Sequence, residues 1–150
     1  MGWISKNAMS IRMKLNENAI APTKAHESDA GFDLYAPRDL KDGMLYPRSS
    51  LVIDTGVCLE IPNGYVGMVK SKSGLNVKRG VQSEGVIDSG YTGSIVVKLY
   101  NHSDNHYEFQ PGEKISQIVI MPITQVRLEL VNALADSERG DGGFGSSGRF

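Results

Sequence analysis

The sequence predicts an all-β fold of the sandwich, jelly-roll or barrel kind. Three observations carry this: apolar residues alternate instead of recurring every three or four positions, turn signals separate the alternating runs, and little of the chain has a helical period. Taken in order, Ile11, Met13 and Leu15 alternate as a half-buried strand does. DAGFDLYA, residues 29–36, puts Phe32 and Leu34 on one face and Asp33 and Tyr35 on the other. LVIDTGVCLEI, 51–61, is rich in β-branched residues and predicts a strand buried on both faces. A further strand runs into KSKSGLNVKRG, 70–80, with Lys70 and Lys72 on one face and Ser71 and Ser73 on the other, until Gly74 breaks it. Ile95, Val97 and Leu99 alternate again, and ISQIVIMPI, 115–123, predicts a second strand buried on both faces. Turn signals stand at Lys41-Asp42-Gly43, Pro62-Asn63-Gly64, Ser89-Gly90 and Pro111-Gly112.

Composition narrows the function classes. A chain of 150 residues fits one domain with its own core. A formal charge of −1 gives no overall basic field for a nucleic-acid backbone, so any polyanionic ligand must be held by local groups. The single Cys58 excludes an internal disulfide and every CxxC metal pattern, and its apolar surroundings predict a buried thiol in a reducing compartment. No run approaches the ~18 apolar residues of a membrane span, and the first residues, MGWISKNAMS, lack a signal-peptide core. Lys6 stands where a myristoylation motif needs Ser or Thr. The expectation is a soluble intracellular protein, bound to neither nucleic acid nor membrane, with a flexible and not necessarily native extension over 1–9, a β domain over 10–134 and a mobile Gly/Ser-rich tail over 135–150.

Candidate chemistry lies in five places. In the tail, Gly143-Phe144-Gly145-Ser146-Ser147-Gly148 matches GxGxxG, but a dinucleotide fold needs a helix after it and only two residues follow. What remains is glycine backbone free to aim N–H groups at an anion, Arg139 able to fork two phosphate oxygens, and the ring of Phe144. A plain disordered tail is the competing reading. Lys72, Ser73 and Gly74 together form a phosphate cradle or an ordinary surface turn. Asp88-Ser89-Gly90-Tyr91 reads as a β-turn that brings Asp88 and Tyr91 to one corner, where Val86 and Ile87 would keep the carboxylate partly dry and able to take a proton from water. A capping aspartate explains the same turn. Asp33 is a candidate acidic partner for magnesium or simply a solvated carboxylate. Gln117 is polar within a long apolar run and needs a partner, either a phosphate or a neighbouring strand. His26, His102 and His106 form no ligand spacing, Cys58 has no evident base beside it, and no GxxxxGK[ST] occurs.

Singly these motifs are weak, but their order is specific. DAGFDLYA, SKSGL, GVIDSGYTG, PGEKISQIV and RGDGGFGSSG, spread over about residues 29–148, resemble in sequence and spacing the five motifs of the trimeric dUTPase family. The resemblance implies a jelly-roll-like subunit in a homotrimer. It implies three active sites at subunit interfaces, each built from all three chains, the tail of one closing over the site of another. It implies Mg²⁺-assisted hydrolysis of dUTP to dUMP and pyrophosphate, which keeps uracil out of DNA and supplies dUMP for thymidylate synthesis. By position, Asp33 matches the acidic residue that meets magnesium through a water, and Lys72, Ser73, Gly74 and Gln117 match groups around the phosphates. Asp88 matches the carboxylate that activates the attacking water, and Tyr91 the ring that leaves no room for a 2′-hydroxyl. Val86 and Ile87 lie in the hairpin whose backbone reads uracil. Arg139, Phe144, Gly145, Ser146 and Ser147 match the arginine, the stacking ring and the γ-phosphate segment of the tail. The cell compartment implied is the cytoplasm, or the nucleus in a eukaryote.

Two positions depart from the family pattern. Ser71-Lys72-Ser73 replaces Pro-Arg-Ser, and lysine lacks the planar fork of arginine. Gln82 stands where some members place an asparagine facing the base and others use backbone alone, which leaves its role open. Related dCTP deaminases share the fold, and a catalytically idle regulator could use the same scaffold; the complete tail favours the pyrophosphatase.

Overall fold

The computed structural model describes residues 8–150, so of the extension expected over 1–9, residues 1–7 lie outside the described residues. Among the described residues the elements are β1 (Met13–Leu15), β2 (Gly31–Tyr35), β3 (Met44–Leu45), β4 (Ser50–Leu59), β5 (Tyr65–Lys70), α1 (Ser73–Arg79), β6 (Val81–Ile87), β7 (Ser94–Asn101), β8 (Tyr107–Glu108) and β9 (Lys114–Pro122). Seven strands form one antiparallel sheet in the order β1-β4-β7-β6-β5-β9-β2, and β3 pairs with β8. The joint of the sheet is β6. Its residues Val81, Gln82 and Ser83 pair with β7, and Glu84 to Ile87 pair with β5. A strand that changes partner midway makes a corner, so the sheet curls round one core. That core includes Leu34, Leu45, Ile53, Val97, Leu99, Phe109, Ile115 and Ile118, each burial of this kind contributing about 1.5–3 kcal/mol. The all-β, jelly-roll-like expectation is met.

The alternation in β7 holds, with Ile95, Val97 and Leu99 buried and Val96 and Tyr100 exposed. Double burial of 51–61 does not hold in its first half: Val52 is 58% exposed beside buried Ile53. A register shift between Asp54 and Cys58 explains the change, because Gly56, at φ 71°, bends the strand so that Thr55 to Cys58 all turn inward. Cys58 is buried as expected. In β9 only the first half is buried, and Met121 is 39% exposed. Strand β1 is not half-buried either, since Met13 and Leu15 are 46% and 40% exposed at the sheet edge. Phe32 shares the Leu34 side of β2 yet opens outward, and with Met9, Ile11, Met13, Leu59 and Ile118 it lines an apolar hollow of about 230 Å³.

Helix α1 corrects the strand expected through Ser73. Strand β5 ends at Lys70, and Gly74 sits in the first turn of the helix instead of breaking a strand. The stop signal was legible: Gly80 adopts the left-handed conformation at φ 67° and donates its N–H to Asn76 O, and Lys78 and Arg79 fill the last turn. Beyond β9, Val126, Leu128 and Leu130 alternate at 76%, 93% and 99% exposure.

Candidate active site

Strand register assembles the first group of site residues. Asp33 pairs with Gln117, Gln117 with Lys70, and Lys70 with Glu84, so one row crosses β2, β9, β5 and β6. Paired residues on neighbouring strands share a face, which puts Asp33 and Gln117 side by side. Asp33 is only 7% exposed. Its Oδ1 accepts a hydrogen bond from Lys72 Nζ at 2.5 Å, and its Oδ2 lies 3.0 Å from Lys114 Nζ. Burial pushes the Asp33 carboxyl up, but the hydrogen bonds from Lys72 and Lys114, with their charges, outweigh it and hold the group below the usual carboxylate value. The solvated carboxylate considered from sequence is therefore excluded: Asp33 is a nearly buried anion between two ammonium groups.

Gln117 donates from Nε2 to the Ser71 carbonyl at 2.9 Å. Its partner is thus the neighbouring chain segment. Gly31 makes room for it, because a β-carbon there would meet Gln117 Oε1 at 2.4 Å. Beneath the row lies a network that sequence reasoning missed. Ser116 Oγ donates to Lys70 O at 2.7 Å, Ser83 and Ser116 share a hydroxyl contact of 2.7 Å, and Ser71 Oγ accepts the Ser83 N–H at 3.0 Å. These buried and partly buried bonds pin the segment leading to Lys72 and Ser73. Ser73 and Gly74 themselves are exposed at the start of α1.

The second group is the turn after β6. Tyr91 N–H bonds the Asp88 carbonyl at 3.2 Å, and Gly90 takes the positive φ, 86°, that a type II turn requires. The Tyr91 hydroxyl donates to Ser94 O at 2.8 Å. A β-carbon at Gly93 would lie 2.7 Å from that hydroxyl oxygen, so only glycine leaves the ring this seat. Asp88 is exposed, and Val86 is 59% exposed. The partly dry surroundings expected from Val86 and Ile87 are not supplied within one chain, because only Ile87 turns towards the core. Gln82 is held from outside: its Oε1 lies 2.8 Å from His102 Nε2.

The third group is the tail. Arg139 Nε donates to Gly142 O at 2.6 Å, and successive turns close at Gly142, Ser146 and Gly148. Phe144 sits at φ 51° with its ring fully exposed. Among the described residues, the hydrogen bonds of 137–148 are all internal to the tail.

One chain therefore sets the Asp33 row and the Asp88 turn apart, and the tail makes no hydrogen bond to either among the described residues. Gly67 and Lys70, the partners of Ile87 and Glu84, stand three residues apart along β5, roughly 10 Å at the rise of a strand. Asp88 lies beyond one end of that ladder and Ser73 beyond the other. Among the described residues no three His, Cys, Asp or Glu side chains could hold a metal. Asp33, a single carboxylate with both oxygens engaged, fits magnesium carried in on phosphate oxygens and reached through a water; it does not fit an ion caged by protein.

The dUTPase family matches residues 17–148 of the chain. The deoxyuridine 5'-triphosphate nucleotidohydrolase of Clostridioides difficile is 41% identical over 138 residues, covering 90% of this chain and 94% of that protein. Among solved structures, the dUTPase of Staphylococcus bacteriophage 80alpha with dUPNHPP has a TM-score of 0.85 at 32% identity, covering 95% of this chain and 100% of that one. A mutant dUTPase of phage phi11 of S. aureus, described with a structural Mg(II) ion, has a TM-score of 0.75 at 28% identity over 83% of this chain and 98% of its own.

Proposed function

The chain belongs to the dUTPase family and hydrolyses dUTP, and we propose that it does so at sites shared among three copies, each site taking one group of residues from each copy. What supports this is that one chain leaves the groups uncovered and without mutual hydrogen bonds: Asp88 is exposed beyond one end of the β5–β6 ladder, Ser73 is exposed beyond the other, and among the described residues the tail bonds only to itself. Copies also explain the exposed alternation of Val126, Leu128 and Leu130, which has the period of a strand but no strand partner among the described residues, while the edge strand β1 and its apolar hollow stand open. On this reading residues 10–134 are the body and 135–150 the part that closes over a neighbour.

In the shared site, uracil lies against the backbone at Val86 and Ile87, with Gln82 nearby. The Tyr91 ring packs on deoxyribose and fills the space of a 2′-hydroxyl. Lys72, Ser73, Gly74 and Gln117 receive the phosphates from a second chain, Lys72 as a point charge where an arginine would fork. From the third chain, Phe144 stacks on the base, Arg139 binds phosphate and Gly145, Ser146 and Ser147 enclose the γ-phosphate. Asp88 accepts a proton from water as the water oxygen bonds to the α-phosphorus, and the bond from that phosphorus to the pyrophosphate oxygen breaks. Asp33 would meet, through a water, a magnesium ion brought with the triphosphate, and the ion would supply positive charge against the charge that builds on the phosphate oxygens. Closure by the tail excludes bulk water and aligns the nucleophile. The products are dUMP, which feeds thymidylate synthesis, and pyrophosphate; consuming dUTP keeps uracil out of DNA. Among the described residues no helix is long and apolar enough to cross a membrane; we place the enzyme in the cytoplasm, or the nucleus of a eukaryote.

Pyrophosphate release from dUTP, dCTP, dTTP and UTP in parallel tests the reaction. Release from dUTP alone is expected. Ammonia release from dCTP, followed alongside, would instead indicate a deaminase. In Gly93→Ala the added methyl displaces the Tyr91 ring, and the preference for dUTP over UTP is expected to fall by about tenfold or more. An unchanged preference would remove Tyr91 from sugar selection.

A further inference from the structure

We propose that Lys114 is a positioning residue for the triphosphate: it holds Asp33 and shares its charge, so that Lys72 can leave the carboxylate for a phosphate. The proposal rests on the reading of Lys72 given above and extends it to a residue outside that set. The observation is the two-to-one pairing, with Lys72 Nζ 2.5 Å from Oδ1 and Lys114 Nζ 3.0 Å from Oδ2 of the same carboxylate. One negative charge between two positive ones leaves a net positive charge beside the row, which suits a polyanion.

Burial sharpens the argument. The Asp33 side chain is 10% exposed, against 29% for Lys72 and 46% for Lys114. If Lys72 were the only partner, drawing it onto a phosphate would strand a nearly buried carboxylate without a cation, which is costly. With Lys114 on the other oxygen, the exchange leaves Asp33 paired. The backbone makes this a side-chain movement, because Gln117 and the Ser71, Ser83 and Ser116 network fix the segment before Lys72. The register shift between Leu34 and Tyr35 sets Lys114 opposite Tyr35, close enough to reach back to Asp33.

Calorimetric binding of the magnesium complex of dUpNHpp, and of dUMP, to wild type, Lys114→Met and Lys114→Arg tests the proposal, with KM and kcat for dUTP and a thermal melt on each. Lys114→Met is expected to weaken dUpNHpp about tenfold and to raise KM, with dUMP affinity within about twofold of wild type and arginine restoring most of the loss. A purely structural role would weaken dUMP and dUpNHpp equally, and that result overturns the proposal. So does unchanged dUpNHpp affinity in Lys114→Met. Wild type that neither binds dUpNHpp nor turns over dUTP would bring down the underlying reading as well, so the two failures are distinguishable.

Discussion

Replacing Asp88 by asparagine is expected to lower dUTP turnover by about 10²–10⁴-fold, the range for loss of a positioned general base, while leaving the fold and nucleotide binding intact. The turn survives because its closing hydrogen bond runs from Tyr91 N–H to the Asp88 main-chain carbonyl and does not use the carboxylate. The side chain is exposed in the single chain, so the change costs stability no more than about 0.5 kcal/mol. Asparagine keeps the shape and an acceptor oxygen but cannot take the proton from water. Steady-state pyrophosphate release beside a melt of both proteins checks this, and full turnover in Asp88→Asn would mean that another group activates the water.

Removing Arg139 to Phe150 is expected to lower turnover at least about 10³-fold. Loss of one transition-state donor costs about 10²–10³, and the stacked ring contributes about 1–3 kcal/mol more. The truncated chain should still fold. None of the core residues lies beyond Ile120, and the tail's hydrogen bonds are its own. A truncated chain that melts like wild type and yet hydrolyses dUTP normally would show that the tail is not a clamp.

Most of the fold was legible because the alternation in β7 and the turn residues between strands are local signals. The corner Asp88-Ser89-Gly90-Tyr91 was legible for the same reason: a turn is specified by four adjacent residues. Helix α1 was not, because seven residues without an apolar stripe carry little periodicity, and its clearest mark is the glycine that ends it. Pairings across the sheet were out of reach. Nothing in the sequence places Lys114 beside Asp33, or Ser83 beside Ser116, until the register of β2 with β9 and the curl of the sheet are known. The exposure of Asp88 and Val86 has a different origin, since the surface that should cover them belongs, on our account, to another copy of the chain.

Subunit mixing tests that account most directly. Asp88→Asn chains and chains lacking Arg139 to Phe150, each nearly inactive alone, are unfolded together and refolded as a mixture. If Asp88 and the tail at one site come from different copies, mixed assemblies regain turnover far above the sum of the two parents. If each chain closes its own tail over its own Asp88, the mixture stays as inactive as its components, and the shared site is contradicted.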